Sequence, residues 1–209
     1  HDVHLDDDYT QWLVELKTRY RSAQITAAVK VNAEKLLFNW QLGRDLVLKK
    51  AEERWGTGVV EQVSLDLHEE FPNDKGFSTR NLWYMKQWYE FYTREPQFLQ
   101  RVVAEIQIPE LKLQRVVAEI PLAFTCVPWG QHIEIFTQCE TIDEAIFYMR
   151  ETIQKGLTRP NLSNVIRSGL YHHHNKALTN FSTSLPETHS RIAQEIVKES
   201  YDLSFISLR

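Results

Sequence analysis

Three adjacent residues, Thr79, Arg80 and Asn81, bring together side chains suited to reading nucleic acid. Arginine matches the two acceptors on guanine, and asparagine matches the donor and acceptor on adenine. A second set, Arg159, Asn161 and Arg167, repeats these residue types further along the chain, and Lys86 stands two helical turns after Thr79. The chemistry implied is binding, through phosphate contacts that position and base contacts that specify. No nucleophile with a nearby base, no phosphate loop and no metal-ligand spacing accompanies these residues, so neither a catalytic residue nor a cofactor is expected. His172-His173-His174 is a weak metal candidate, because successive helical residues diverge by about 100° and cannot converge on one ion. A polar helix end is the better reading.

Two breaks position these residues. In Phe71-Pro72-Asn73-Asp74-Lys75-Gly76-Phe77-Ser78, Pro72 ends a helix that starts at Val59. The apolar face expected for that helix comprises Val59, Val63, Leu65, Leu67 and His68. Gly76 is expected to permit a positive φ, and Ser78 to cap the next helix through the N–H of Arg80 or Asn81. That next helix, Leu82 to Tyr92, is rich in aromatics. Gly156-Leu157-Thr158-Arg159-Pro160-Asn161-Leu162 repeats the pattern of glycine, apolar residue, hydroxyl cap, two variable positions, Asn and Leu. Thr158 is the second cap, and Pro160 falls in the first turn, where proline is tolerated. Each break fits a helix-turn-helix; the plainer alternative, since all helical bundles contain such turns, is a helical hairpin whose polar first turn faces water.

The remainder reads as helix. Between residues 9 and 53, Trp12, Leu13, Leu16, Tyr20, Ala23 and Ala27 trace one stripe. Val29, Leu36, Leu37, Trp40, Leu42, Leu46 and Val47 trace another. Gly43 reads as a close packing point, and Asn32 beside the stripe reads either as a bond across helices or as a partly exposed polar residue. Leu99–Ile106 recurs identically as Leu113–Ile120, each copy followed by a proline, which fits a local duplication in a connecting region. The expected organisation is a helical lobe over 9–95, a connection over 96–126 and a second lobe over 127–209.

The formal charge of −4 comes wholly from Asp2, Asp6, Asp7 and Asp8, leaving a neutral body. From Arg150 to Lys176, however, five basic residues face only Glu151, a cluster able to meet phosphates or simply to be solvated. Cys126 and Cys139 are the only cysteines and are expected to be buried free thiols of a reducing cytoplasm. No apolar run approaches the ~20 residues that cross a membrane, and no signal peptide is visible.

Gly76-Phe77-Ser78 with Arg80-Asn81-Leu82 and Met85 resembles the N-terminal domain of the YhcG family, a bacterial domain of unknown function. Asn32, Trp40, Gly43, Trp55-Gly56, Leu65-Asp66-Leu67 and Phe71-Pro72 continue the likeness. So do Val127-Pro128-Trp129-Gly130-Gln131-His132, Phe147-Tyr148, Asn180-Phe181, Leu185-Pro186 and Tyr201 to Phe205. The chain departs from the family at Leu157-Thr158, usually Trp-Ser, and at Glu199-Ser200-Tyr201, usually Asp-Pro-Tyr. The first change keeps the hydroxyl cap.

The resemblance implies that full-length relatives continue into a PD-(D/E)XK nuclease domain, and the abrupt end at Leu208-Arg209 fits such a continuation. Pro109-Glu110-Leu111-Lys112 imitates part of that active site but lacks flanking strands. The expectation is therefore a mainly α-helical bundle with two helix-turn-helix or winged-helix-like units. It would be a non-catalytic module that grips duplex or branched DNA through Thr79, Arg80, Asn81, Lys86, Arg159, Asn161 and Arg167. The alternative is a scaffold for self-association, as a homodimer, or for the nuclease or a mobile-element or defence partner. Trp83, Trp88, Tyr89, Phe91 and Tyr92 would then supply its hot spots.

Overall fold

A computed structural model describes residues 6–98, 100 and 120–173, and among these it is helical with no strand, hence with no wing. The first helix, α1 (Asp7–Leu48), begins where the Asp6 carboxylate accepts the Tyr9 N–H at 2.9 Å, and Asp7 and Asp8 in its first turn suit the positive end of the helix dipole. A turn leads to α2 (Ala51–Trp55) and α3 (Val59–Glu70). A 3₁₀ turn at Lys75–Phe77 precedes α4 (Thr79–Thr93). Then come α5 (Leu122–Thr125), α6 (Trp129–Gln138), α7 (Ile142–Lys155), α8 (Arg159–Arg167) and the short α9 (Leu170–His173). No described helix is long and apolar enough to cross a membrane.

Helix α4 is the axis of the bundle, with α1, α3 and α6 packed around it. At its crossing with α1 the two backbones meet at Gly43, where an added Cβ would fall on the Met85 carbonyl group, 2.7 Å from its carbon. Only hydrogen fits there, so the position takes glycine despite its cost of roughly 0.5–1 kcal/mol inside a helix. Asn32, buried on α1, donates through Nδ2 to the carbonyls of Thr125 (2.9 Å) and Val127 (3.1 Å). These bonds satisfy two buried acceptors, one at the end of α5 and one in the loop before α6, and fix where α6 starts.

Around this frame Trp40, Trp88, Tyr92, Phe98, Phe124, Trp129 and His132 pack ring against ring, in tilted and edge-to-face pairs. The core they belong to is contiguous from Ala28 to Ile166, so it draws on both stretches expected as separate lobes. The aromatic face expected as a partner surface is largely consumed here: Trp88, Phe91 and Tyr92 are buried, and Trp83 and Tyr89 are half-buried. A smaller cluster of Leu46, Ala51, Val60 and Leu82 joins α2 and α3 to α4.

Three local expectations are corrected. Leu65 is 65% exposed, and α3 turns Val60 and Ser64 inward instead, with Val59, Val63 and Leu67 at the edges. Gly76 does not take a positive φ; a Cβ there would stand 2.9 Å from the Asp74 carboxylate oxygen that accepts the Gly76 N–H, and that side chain would have to shift. The stripe from Trp12 to Tyr20 is not buried: the first buried residue of α1 is Ala28. The duplicated segment lies almost wholly outside the described residues, as do Pro109 to Lys112, Lys176 and His174.

Candidate nucleic-acid interface

The two helix starts singled out by the sequence are capped alike. Ser78 Oγ accepts the Asn81 N–H at 3.2 Å, and Thr158 Oγ1 accepts the Asn161 N–H at 3.4 Å. Pro160 occupies the first turn of α8, where its missing N–H has no helical acceptor to lose. Their approaches differ. The α7–α8 connection is three residues, Gly156-Leu157-Thr158, with Gly156 left-handed at φ 58°, a length within the three to four residues of a helix-turn-helix turn. The α3–α4 connection spans 71–78 and contains the 3₁₀ turn, so it is longer than that motif uses.

Both starts rest on the same part of α6. Trp129 Nε1 donates to Asn81 Oδ1 at 2.8 Å, which secures the beginning of α4. Gln131 Nε2 donates to the Leu157 carbonyl at 3.2 Å, and Arg159 Nε donates to Glu134 Oε1 at 2.8 Å, which secures the beginning of α8. Further along, Gln138 Nε2 bridges Glu134 and Ser163, so α8 is held along its length. The bonds to both starts come from Trp129, Gln131 and Glu134, within six residues of α6.

The expected contact residues fall into two groups. Asn81 is engaged at both ends of its amide: Nδ2 donates to the Gly76 carbonyl while Oδ1 takes the Trp129 N–H. Lys86 forms an ion pair with Glu52 of α2 and lies over the Trp83 ring, with its side chain only 17% exposed. Arg80 is exposed and lies along α4, where Nε donates to Tyr84 Oη at 3.0 Å, one of five N–H groups on the guanidinium. Thr79 is half-buried beside it. On α8, Asn161 and Arg167 are exposed, and Arg159 is half-exposed despite its ion pair.

The basic cluster is weaker in space than in sequence. Lys155 pairs with Glu151 at i,i+4, and Arg159 meets Glu134, a carboxylate that the local charge count does not include because α6 delivers it. The sequence reading also passed over Asn164 and Ser168. With Asn161 they sit at i, i+3 and i+7 on the exposed polar side of α8, Ser168 as its C-cap, a pattern that the spacing itself could have revealed.

His132 lies in the core beneath this platform. Its Nε2 is 2.9 Å from the Phe124 carbonyl and so carries the proton, and burial lowers its pKa to about 4, leaving it neutral. Among the described residues no group of three or more His, Cys, Asp or Glu is placed to hold a metal.

No curated protein and no solved structure matches this chain. The family model of the DUF1016 N-terminal domain matches residues 15–173, a span that takes in α4, α6 and α8 together with the core beneath them. The chain belongs to the DUF1016 N-terminal domain family, the family to which the YhcG resemblance pointed.

Proposed function

We propose that this chain is a non-catalytic DNA-binding module that targets a nuclease domain of the kind the YhcG resemblance implies, in the bacterial cytoplasm. The observation that carries the reading is the attachment of two like-capped helix starts to one stretch of α6, Trp129 to Glu134. Each start presents exposed arginine at the positive end of a helix dipole, the arrangement that favours phosphate. In this reading one duplex or branched DNA meets both starts at once.

Within this reading the seven expected residues divide by task. Arg80, Arg159 and Arg167 contact phosphate, and Asn161, with Asn164 beside it, offers the amide groups for base edges. Thr79 adds a hydroxyl at the start of α4. Asn81 secures the start of α4 to α6, while Lys86 ties α4 to α2 and takes no part in DNA contact. The α8 start is the principal element, because its turn is the compact one and its outward face is polar and open.

Fluorescence anisotropy with labelled duplex and branched DNA tests the assignment. Arg159→Ala and Arg167→Ala should each weaken binding and lower the salt slope by about one, as loss of a phosphate contact does. Affinity unchanged in both variants and in Arg80→Ala would remove these helix starts from consideration.

A further inference from the structure

The first third of α1 carries an apolar seam that nothing in the described chain covers. Tyr9, Leu13, Leu16 and Tyr20 follow one another at intervals of four, three and four, the spacing by which one helix packs along another. Tyr20 is 66% exposed, Leu16 39% and Tyr9 36%, while Trp12 on the flank of the seam is 50% exposed. Contact with the main core begins only at Ile25. These residues serve neither the core nor the DNA reading.

We propose that this seam is a dimerisation surface whose occupant is the same segment of a second copy, running antiparallel. Charge selects both the partner and its direction. Asp6, Asp7 and Asp8 open the helix, and Lys17, Arg19 and Arg21 follow the middle of the seam. Two parallel copies would set acid level with acid and base level with base. Antiparallel copies related by a twofold axis near Val14 and Glu15 set Tyr9 against Tyr20 and Leu13 against Leu16. The same arrangement brings the acidic first turn of each helix level with the basic segment of the other. Trp12 then lies near the basic side chains of the facing helix, where a cation can rest on its ring. The segment is thus complementary to itself in apolar spacing and in charge. The opposed helix dipoles add to the preference.

Four seam residues per helix make a small interface, so the association belongs to the weak class, with a dissociation constant of roughly 10–100 µM. Sedimentation equilibrium of the whole chain should show a mass rising from the 24.7 kDa monomer towards twice that value across this range. Leu16→Glu, which strikes the twofold interface twice, should weaken the dimer at least about tenfold. Its thermal midpoint should stay that of the wild type, because Leu16 lies outside the core. Mixing Tyr9→Cys with Tyr20→Cys chains under mild oxidation should yield the mixed disulfide in preference to either self-linked product. A wild-type monomer at every concentration would overturn the proposal and leave the seam to another segment or another protein. A dimer indifferent to Leu16→Glu would overturn it too, and preferential self-linking would overturn the antiparallel direction.

Discussion

Trp129, the first residue of α6, donates its indole N–H to the side-chain oxygen of Asn81 at 2.8 Å, while the other end of that amide holds the Gly76 carbonyl. One asparagine therefore joins the turn before α4, the start of α4 and the start of α6. Asn81→Ala should lower stability by about 2–3 kcal/mol, because the nearly buried indole N–H and the Gly76 carbonyl both lose their partner. Urea unfolding followed by tryptophan fluorescence measures this directly. Asn81→Asp keeps an acceptor for Trp129 and should recover part of the loss.

The caps were legible because capping is local: Ser78 and Thr158 bond to N–H groups three residues on, and glycine or proline marks the approach. Gly43 was legible as a packing point, since a lone glycine in a long helical pattern has few other uses. The second task of Asn81 was not, because its acceptor oxygen serves a residue 48 positions away. The pairing of Arg159 escaped for the same reason: Glu134 reaches its Nε only after α6 and α8 pack together, and leaves half of the side chain exposed. Periodicity found the stripe of Leu16 and Tyr20 but does not say whether a chain covers its own stripe. In α3 the choice of Val60 over Leu65 was set by where α2 and α4 press, which spacing alone does not encode.

Gly43→Ala should be among the most damaging single substitutions in the chain. The added methyl meets the backbone of Met85 rather than a side chain that can rotate away, so α1 and α4 must separate. A loss of about 3 kcal/mol or more is expected. Gly58→Ala, with open space around the new Cβ, serves as the control and should cost only about 0.5–1 kcal/mol, for the poorer N-cap of α3.

Acid should weaken the fold through His132. Its folded pKa of about 4 lies below the ordinary value of 6.5, so the unfolded chain takes up the proton first. The contribution is complete above pH 6.5, declines as pH falls towards 4, and changes little below that. The loss across this window is about 3 kcal/mol. His132→Gln should be less stable at neutral pH yet show a flatter stability profile between pH 6.5 and 4.

The two thiols should resist labelling in the native state. Burial pushes Cys126 up to about 12, and burial with the nearby Glu144 charge raises Cys139 as well, so little thiolate exists near pH 8. An aromatic disulfide reagent should react with both at the rate of unfolding. Fast labelling of either thiol without denaturant would contradict its burial.

Lys86→Met should separate structure from binding. The ion pair with Glu52 is only partly screened, so its removal should cost about 1 kcal/mol of stability. DNA affinity and its salt dependence should stay unchanged, unlike the effect of Arg159→Ala.

The central claim is tested most directly by the anisotropy of labelled duplex and branched DNA titrated with the wild-type chain from about 50 to 200 mM salt. The account predicts micromolar or tighter binding at low salt, falling steeply as salt rises with a slope of about −3, one unit for each of Arg80, Arg159 and Arg167. No binding to either DNA at the lowest salt would contradict it.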